Sequence, residues 1–245
     1  LLQNLELAKQ SRQVRKQKLK NNYMSKVVHP YAHRLVTLRD WKSRWFADKK
    51  YRNLLQSDVV IREFLAKKLR GFYISRIEIE RNAKATKIII HTSRPGMIIG
   101  RGGDGVNKLK AELIKALDKR GVKGVGDFNL DVVEVPNPDA DAAIVACSIA
   151  EGLEKRLPYR RVLKQSIEKI MASRGVKGAR IYLGGRLAGA EIARSEQIKR
   201  GSIPLQTFRA DVDFAREKAH MSYGDIGIKV WIYRGEVFSS SNKGE

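Results

Sequence analysis

The sequence lacks the features on which several large classes of protein depend. Cys147 is the only cysteine, so an intrachain disulfide is excluded and a reducing compartment is favoured. No apolar run approaches the ~18–20 residues that cross a bilayer, and no signal peptide with an apolar middle section is evident, so we expect no membrane partner. Neither the nucleotide-binding pattern G-x-x-x-x-G-K-[ST] nor the zinc pattern His-Glu-x-x-His occurs.

Candidate catalytic groups are equally few. The four histidines do not take a metal-site spacing with Cys147. Two acidic pairs remain, but we interpret Asp139, beside Asp141, as the start of a helix, and Asp211 and Asp213 as exposed positions of a strand. We therefore predict that the protein is not an enzyme and has no metal and no cofactor.

Positive charge is what the chain has in excess. Lys and Arg number 49 against 26 acidic residues, which gives a net charge of +23 over 245 residues. The excess is densest in residues 1–52, where 14 cations face 3 acids. A field of this size favours polyanions, and nucleic acid is the first candidate.

The N-terminal region divides into two basic segments. Residues 1–23 are a basic extension that fits a helix formed on binding, a disordered tail or the remnant of an organelle-targeting segment. Residues 24–57 form an arm in which cations alternate with Trp41, Trp45 and Phe46. We expect these rings to pack on the next helix and the cations to contact RNA.

Gly100-Arg101-Gly102-Gly103 is the most informative stretch. A strand-like run, Ile88 to Ile90, precedes it, and apolar residues at helical spacing follow it. A Gly-x-x-Gly turn between two helical segments lets a nucleic-acid backbone approach the main chain, as in the RNA-clamping loop of a KH domain. Two alternatives are a plain glycine turn and the dinucleotide fingerprint G-x-G-x-x-G, which needs a strand running straight into the turn.

Residues 58–136 fit the element order of a KH domain of type II. A helix is predicted from about 58 to 70, with Ser57 or Asp58 as its N-cap. Two strands follow, then the short helix at Ile98-Ile99, the glycine loop, a longer helix and a third strand. This order, the loop and the charge together favour an RNA-binding domain.

Pro136-Asn137-Pro138 is a stiff break that separates a second domain, residues 137–238, from a tail at 239–245. Two helices, the first starting near Asp139, and three or four antiparallel strands predict a two-layer α+β domain there. One of these strands is expected over 208–214. We interpret residues 184–194 and 199–201 as glycine-rich, cationic connections between strands. The predicted fold class of the whole chain is α+β.

A cluster of cations marks the second of these helices. Arg160, Arg161 and Lys164 lie opposite its apolar stripe and favour a nucleic-acid contact. The alternative is a solvated face on which Glu168 pairs with Lys164, four residues before it.

Several strings in the chain resemble signatures of one family, the bacterial-type third protein of the small ribosomal subunit. They include Val28-His29-Pro30, Trp45-Phe46-Ala47 and Gly185-Arg186-Leu187-Ala188-Gly189-Ala190, with further matches at 75–81, 91–96, 204–211 and 227–232. The resemblance runs collinearly over about residues 24–238. The glycine-arginine-leucine block is its most specific part, because no rule of folding demands that string.

The resemblance implies a structural constituent of the small ribosomal subunit that binds rRNA in the subunit head. It also implies that Arg160, Arg161 and Lys164 line the channel through which mRNA enters and help to hold and unwind incoming mRNA. The implied partners are rRNA, mRNA and small-subunit proteins four, five, ten and fourteen. The expected location is the ribosome of the cytoplasm, with an organellar ribosome as the alternative. Further rRNA contacts are expected at Lys26, His29, Arg34, Arg186, Arg194, Lys199 and Arg200.

Overall fold

A computed structural model describes residues 28–82, 85–121 and 127–238. Lys26 and the extension at 1–23 therefore lie outside the described residues. The helices are α1 (Pro30–His33), α2 (Tyr51–Lys68), α3 (Pro95–Ile99), α4 (Asp104–Lys119), α5 (Ala142–Glu154) and α6 (Tyr159–Ala172). The strands are β1 (Ser43–Arg44), β2 (Ile74–Arg81), β3 (Ala85–Thr92), β4 (Asp127–Glu134), β5 (Gly178–Gly185), β6 (Arg194–Gly201), β7 (Ala210–Met221) and β8 (Gly224–Glu236).

The first sheet has the strand order β1-β2-β3-β4 and mixes both directions. Strands β2 and β3 are antiparallel, while β1 runs parallel to β2 and β4 runs parallel to β3. Helices α2 and α4 supply apolar stripes that pack with this sheet around a core that includes Ile61, Leu65, Ile79, Ile88, Ile90 and Leu113. The predicted order of helix, two strands, helix, turn, helix and strand is thereby confirmed.

Helix α2 begins seven residues earlier than predicted, at Tyr51 rather than near position 58. Ser57 and Asp58 are not N-caps but buried residues in the middle of this helix. The Asp58 carboxylate accepts hydrogen bonds from the Arg81 guanidinium and, at 2.8 Å, from the Trp45 indole nitrogen. A polar residue that resembles a cap is thus a buried partner for two side chains outside its helix.

The expectation that three aromatic rings of the arm pack on the next helix holds for only one of them. Trp45 reaches α2 through Asp58. Trp41 is 58 % exposed and Phe46 is 88 % exposed, so neither ring is packed inside the chain. The arm contributes the two-residue strand β1 to the sheet, and its neighbouring residues Trp45 and Phe46 differ in exposure accordingly.

The second sheet is antiparallel, with the order β6-β5-β8-β7, and confirms the predicted α+β class. Helices α5 and α6 cover one face, and the core between them includes Ile149, Leu163, Ile167, Ile181, Val230 and Ile232. Two details of the sequence interpretation were wrong. Residues 199–201 end strand β6 rather than forming a connection, and Phe208 precedes β7 and is 57 % exposed.

The first long helix of this second part begins at Ala142, not near Asp139. The Asp141 carboxylate caps it by accepting hydrogen bonds from the amides of Ala143, at 2.9 Å, and Ile144, at 3.2 Å. Asp139 lies in a short turn of 3-10 helix, Pro138–Ala140, that precedes the cap.

Residues 28–45 connect the two sheets. Helix α1 packs against β7 of the second sheet, whereas Ser43 and Arg44 pair with Ile79 and Glu80 of the first. Between these points, the Arg39 guanidinium lies 2.5 Å from the Asp211 carboxylate. The domain boundaries proposed from the sequence stay a prediction, and this segment contacts both of the units that those boundaries separate.

Candidate nucleic-acid interface

The glycine loop between α3 and α4 has the backbone that only glycine adopts easily. Gly100, Gly102 and Gly103 have φ angles of 70°, 62° and 86°. A side chain at such angles is strained, so glycine allows the tight turn. Arg101 is exposed and makes no ion pair within the described residues.

Helices α3 and α4 meet closely at Gly105, and the loop that joins them projects from this contact. A Cβ atom at Gly105 would lie 2.3 Å from the carbonyl oxygen of Ile98, so the two helices can meet only if residue 105 has no side chain. At Gly102 and Gly103 the same test finds no atom within 4 Å. The loop therefore turns its main chain toward open space, where a phosphate backbone can approach it.

The dinucleotide interpretation of the same glycines is excluded by the geometry. That fold needs a strand leading directly into the turn. Here β3 ends at Thr92, and helix α3, which confirms the short helix predicted at Ile98-Ile99, lies between the strand and the loop.

The three cations predicted on α6 lie on its outer face. Arg160, Arg161 and Lys164 are exposed, while Leu163 and Ile167 of the same helix are buried. The Arg160 guanidinium donates to the Glu196 carboxylate at 3.2 Å, and this hydrogen bond raises the pKa of Arg160. Within the described residues Arg161 and Lys164 form no ion pair, so the pairing of Lys164 with Glu168 considered above is not observed.

Arg34, predicted to contact rRNA, is buried inside the protein. Its side chain is fully enclosed, and its guanidinium donates to five backbone carbonyls, those of Pro30, Pro204, Leu205, Thr207 and Ala210. No part of this group is left at the surface for a phosphate, so we assign it a structural role. His29 and His33 pack edge-on to Phe214 and stacked on Phe208, at ring centroid distances of 4.8 and 4.2 Å.

The remaining predicted contacts lie around β5 and β6. The Arg186 guanidinium donates to the carbonyls of Ala190, at 2.9 Å, and Tyr223, at 3.1 Å, and so stabilises its own loop. Arg194 and Lys199 are exposed and have no ion pair in the described part of the chain. Arg200 follows Lys199 in β6, so its side chain lies on the opposite face of the sheet. There its guanidinium lies 3.9 Å from the Glu168 carboxylate of α6.

The acidic pair Asp211 and Asp213 has structural partners. Asp211 and Asp213 are not the exposed strand positions that the sequence indicated, since their side chains are only 22 % and 19 % exposed. Asp213 accepts hydrogen bonds from Arg234 and from the Ala142 amide, at 3.2 and 3.0 Å. These carboxylates hold the packing between residues 28–45, α5 and the second sheet together.

The described residues meet none of the requirements of a reactive thiol, a metal site or a membrane-spanning helix. Burial raises the pKa of the Cys147 thiol to about 12, so this sulfur is protonated and unreactive near neutral pH. No group of three His, Cys, Asp or Glu side chains is placed to hold a metal ion within 28–82, 85–121 and 127–238. Over the same ranges, no helix has both the length and the apolar character needed to cross a membrane.

Comparison with known proteins gives two family matches and many close relatives. The model of the KH domain matches residues 60–140, and that of ribosomal protein S3, C-terminal domain, matches residues 149–232. Small ribosomal subunit protein uS3 of Exiguobacterium sp. is 44 % identical over 219 residues, covering 89 % of this chain and 97 % of the relative. The uS3 proteins of Clostridium botulinum strain 657 and Enterococcus faecalis are 47 % and 45 % identical, over 87 % and 91 % of this chain and 93 % and 98 % of their own lengths.

Proposed function

This chain belongs to the uS3 family of small ribosomal subunit proteins, and from that premise we propose that it binds rRNA as a structural constituent of the small subunit. The observation that carries the proposal is the near full-length match to uS3 relatives, within which the exposed Gly-x-x-Gly loop falls in the KH segment. The family is a structural, non-enzymatic class, in agreement with the packing roles of Asp211 and Asp213.

Sedimentation tests this proposal against a free RNA chaperone or a KH-containing nuclease accessory that acts off the ribosome. In a sucrose gradient of a lysate from cells that express the chain, we expect it to co-migrate with small subunits. A pool found wholly at the top of the gradient would contradict the ribosomal role and favour the alternatives.

We propose that the glycine loop contacts the phosphates of rRNA. Gly100, Gly102 and Gly103 expose the main chain, and Arg101 supplies a cation that has no ion pair in the described part of the chain. Helix α4 starts immediately after the loop, and no side chain caps its first amides. Free amides at a helix start attract anions, although Asp104 in the first turn weakens that attraction.

Placing negative charge in the loop should weaken rRNA binding. For the double variant Gly102→Asp/Gly103→Asp we expect a loss of about tenfold or more in affinity for head-domain rRNA, because two carboxylates would face phosphates. A filter-binding titration measures this change. The matched control is Gly71→Asp/Gly121→Asp, since both glycines also have positive φ angles with no atom within 4 Å of an added Cβ. Equal curves for the two double variants would remove the loop from the RNA site.

We further propose that Arg160, Arg161 and Lys164 line the channel through which mRNA enters and help to hold and unwind it. Support comes from their exposure on one face of α6, where Arg161 and Lys164 have no ion pair in the described residues. The proposed partners beyond rRNA and mRNA are small-subunit proteins four, five, ten and fourteen, in the ribosome of the cytoplasm or of an organelle.

Neutralising this cluster should slow translation of structured messages. With Arg160, Arg161 and Lys164 all replaced by Ala, we expect elongation through a message hairpin to slow about two- to fivefold, the loss expected for a few weak electrostatic contacts. A matched triple variant, Arg52→Ala/Lys67→Ala/Lys115→Ala, removes the same charge from exposed positions on α2 and α4. Hairpin pausing that is the same in both reconstituted subunits would count against a channel role.

A further inference from the structure

The face of the second sheet that points away from α5 and α6 carries a regular grid of side chains. The pairing of the four strands is continuous, so residues directly opposite one another share a face. Read from β6 to β5, β8 and β7, the three successive rows of this face are Lys199, Arg180, Trp231 and Phe214; Gln197, Tyr182, Lys229 and Arg216; and Ser195, Gly184, Gly227 and Lys218.

Five cations on this grid lack a neutralising partner. Within the described residues no ion pair is formed by these cations, which are Arg180, Lys199, Arg216, Lys218 and Lys229, whereas Arg44, Arg76 and Arg81 of the first sheet are each paired. The acid at the far end of the face, Asp225, is paired with the His220 ring at 2.6 Å. We call the five cations together with Tyr182 the cationic sheet face. Like charges held this close repel one another, so the face favours an anionic partner.

Tyr182 gives the same face a planar, apolar surface. A Cβ atom at Gly184 would lie 3.2 Å from Cε1 of the Tyr182 ring, so the ring lies over this glycine. Lys229 approaches the ring, with its Nζ atom 5.6 Å from the ring centroid. Gly227, paired with Gly184, adds no side chain of its own, and a glycine in a strand often marks the close approach of a ligand. Space for a flat group therefore lies beside the ring.

Trp231 has a different role from Tyr182. Trp231 is only 7 % exposed, and its ring lies beneath the Arg180 guanidinium at 4.9 Å and beside the Phe214 ring at 5.1 Å, so it supports the sheet rather than offering a surface for stacking. Tyr182 is half-buried at the edge of this apolar cluster, and the exposed cations Arg216 and Lys229 lie in the same row.

We propose that the cationic sheet face is an additional binding platform for single-stranded or loop RNA, distinct from the glycine loop and from α6. The inference rests on the proposed function, since it extends the RNA contacts of this chain to a third surface. In other RNA-binding domains, four-stranded sheets with surface aromatics stack two or three bases, while cations hold the phosphates. A protein partner fits less well, because lysine is depleted in the cores of protein interfaces.

The charges of the face are tested by the salt dependence of binding. The full chain is titrated with a fluorescent, unstructured RNA of about 12 nucleotides, within the usual range of single-strand sites. Arg216→Gln/Lys229→Gln should reduce the slope of log affinity against log salt by about 1.4, since each phosphate contact to a single strand contributes about 0.7. The control Lys67→Gln/Lys115→Gln removes equal charge from α2 and α4 and should leave the slope near the wild-type value.

The ring is tested separately. Tyr182→Leu should weaken binding about fivefold or more with an unchanged salt slope, because base stacking is lost while the charges remain. Tyr182→Phe keeps the ring over Gly184 and should retain wild-type affinity, which separates stacking from a general loss of structure.

The outcomes distinguish this inference from the function on which it rests. Wild-type protein that binds the RNA, with both face variants matching the control, would overturn the platform and leave the ribosomal role intact. Loss of a small-subunit protein from the face variants, with RNA affinity unchanged, would assign the face to protein and also overturn it. A wild-type chain that binds no RNA at low salt would refute the proposed function itself.

Discussion

Asp58→Ala is expected to lower the free energy of unfolding by about 3–5 kcal/mol, the cost of removing one partner of a buried ion pair. The Asp58 and Arg81 side chains are only 4 % and 6 % exposed, so the Arg81 guanidinium would keep a buried charge without its carboxylate. The indole nitrogen of Trp45 would lose its acceptor as well. Because a loss of 1 kcal/mol shifts the midpoint by about 2–4 °C in a domain of this size, we expect thermal unfolding at least about 6 °C lower.

Asp131→Ala is the matched control for this first prediction. Asp131 pairs with Lys87 at 2.9 Å in the same sheet, but both side chains are about half exposed. Exposed pairs contribute about 0–1 kcal/mol, so this variant should unfold close to the wild-type temperature. Circular dichroism on heating compares the two. Similar midpoints for Asp58→Ala and Asp131→Ala would mean that water reaches Arg81 and that the pair is not buried in solution.

Arg34→Met is expected to destabilise the protein by about 2–5 kcal/mol, since buried acceptors lose their donors. Methionine fills a similar length of the cavity, but the five carbonyls that Arg34 serves would have no hydrogen on that side. Three of them belong to residues 204–207, which would then be less firmly held against the start of β7. Chemical denaturation followed by circular dichroism measures the loss.

The same variant separates a structural Arg34 from an RNA-contacting one. Arg52→Met removes an exposed cation of α2 and should change stability by less than about 0.5 kcal/mol. For Arg34→Met we expect reduced stability with an unchanged salt slope of RNA binding. Normal stability combined with a smaller slope would show that Arg34 contacts phosphate, as the sequence had suggested.

Local chemistry made the glycine loop predictable. Positive φ angles at Gly100, Gly102 and Gly103 are a property of single residues, and the helical spacing on either side is visible in the chain. Strands β2 to β5, β7 and β8 follow from apolar alternation for the same reason, whereas β1 and β6 were not predicted. The exposure of the α6 cations could also be predicted from the sequence. Charged residues opposite an apolar stripe face solvent on any helix that packs by that stripe.

Partners distant in the chain were what the sequence could not show. Asp58 resembles an N-cap until Arg81 is placed beside it, and Arg34 resembles a surface cation until residues 204–210 surround it. Strand β6 was partly missed because it is a polar edge strand whose inward residues are few. The cationic sheet face had a weak signal in cationic and aromatic residues at every second position, Arg180 and Tyr182 in β5 and Phe214, Arg216 and Lys218 in β7. The rows themselves form only when four strands align.

The burial of Arg34 among carbonyls of residues 204–210 affects the order in which the newly made chain folds. One of its acceptors, the carbonyl of Ala210, is synthesised 176 residues after it. At translation rates of about 5–20 residues per second, roughly 10–35 s pass between the synthesis of Arg34 and that of this acceptor. Ser43 and Arg44 can join the first sheet as soon as β2 is made, whereas the contacts that hold α1 and Arg34 against β7 form only after residue 210 has been added.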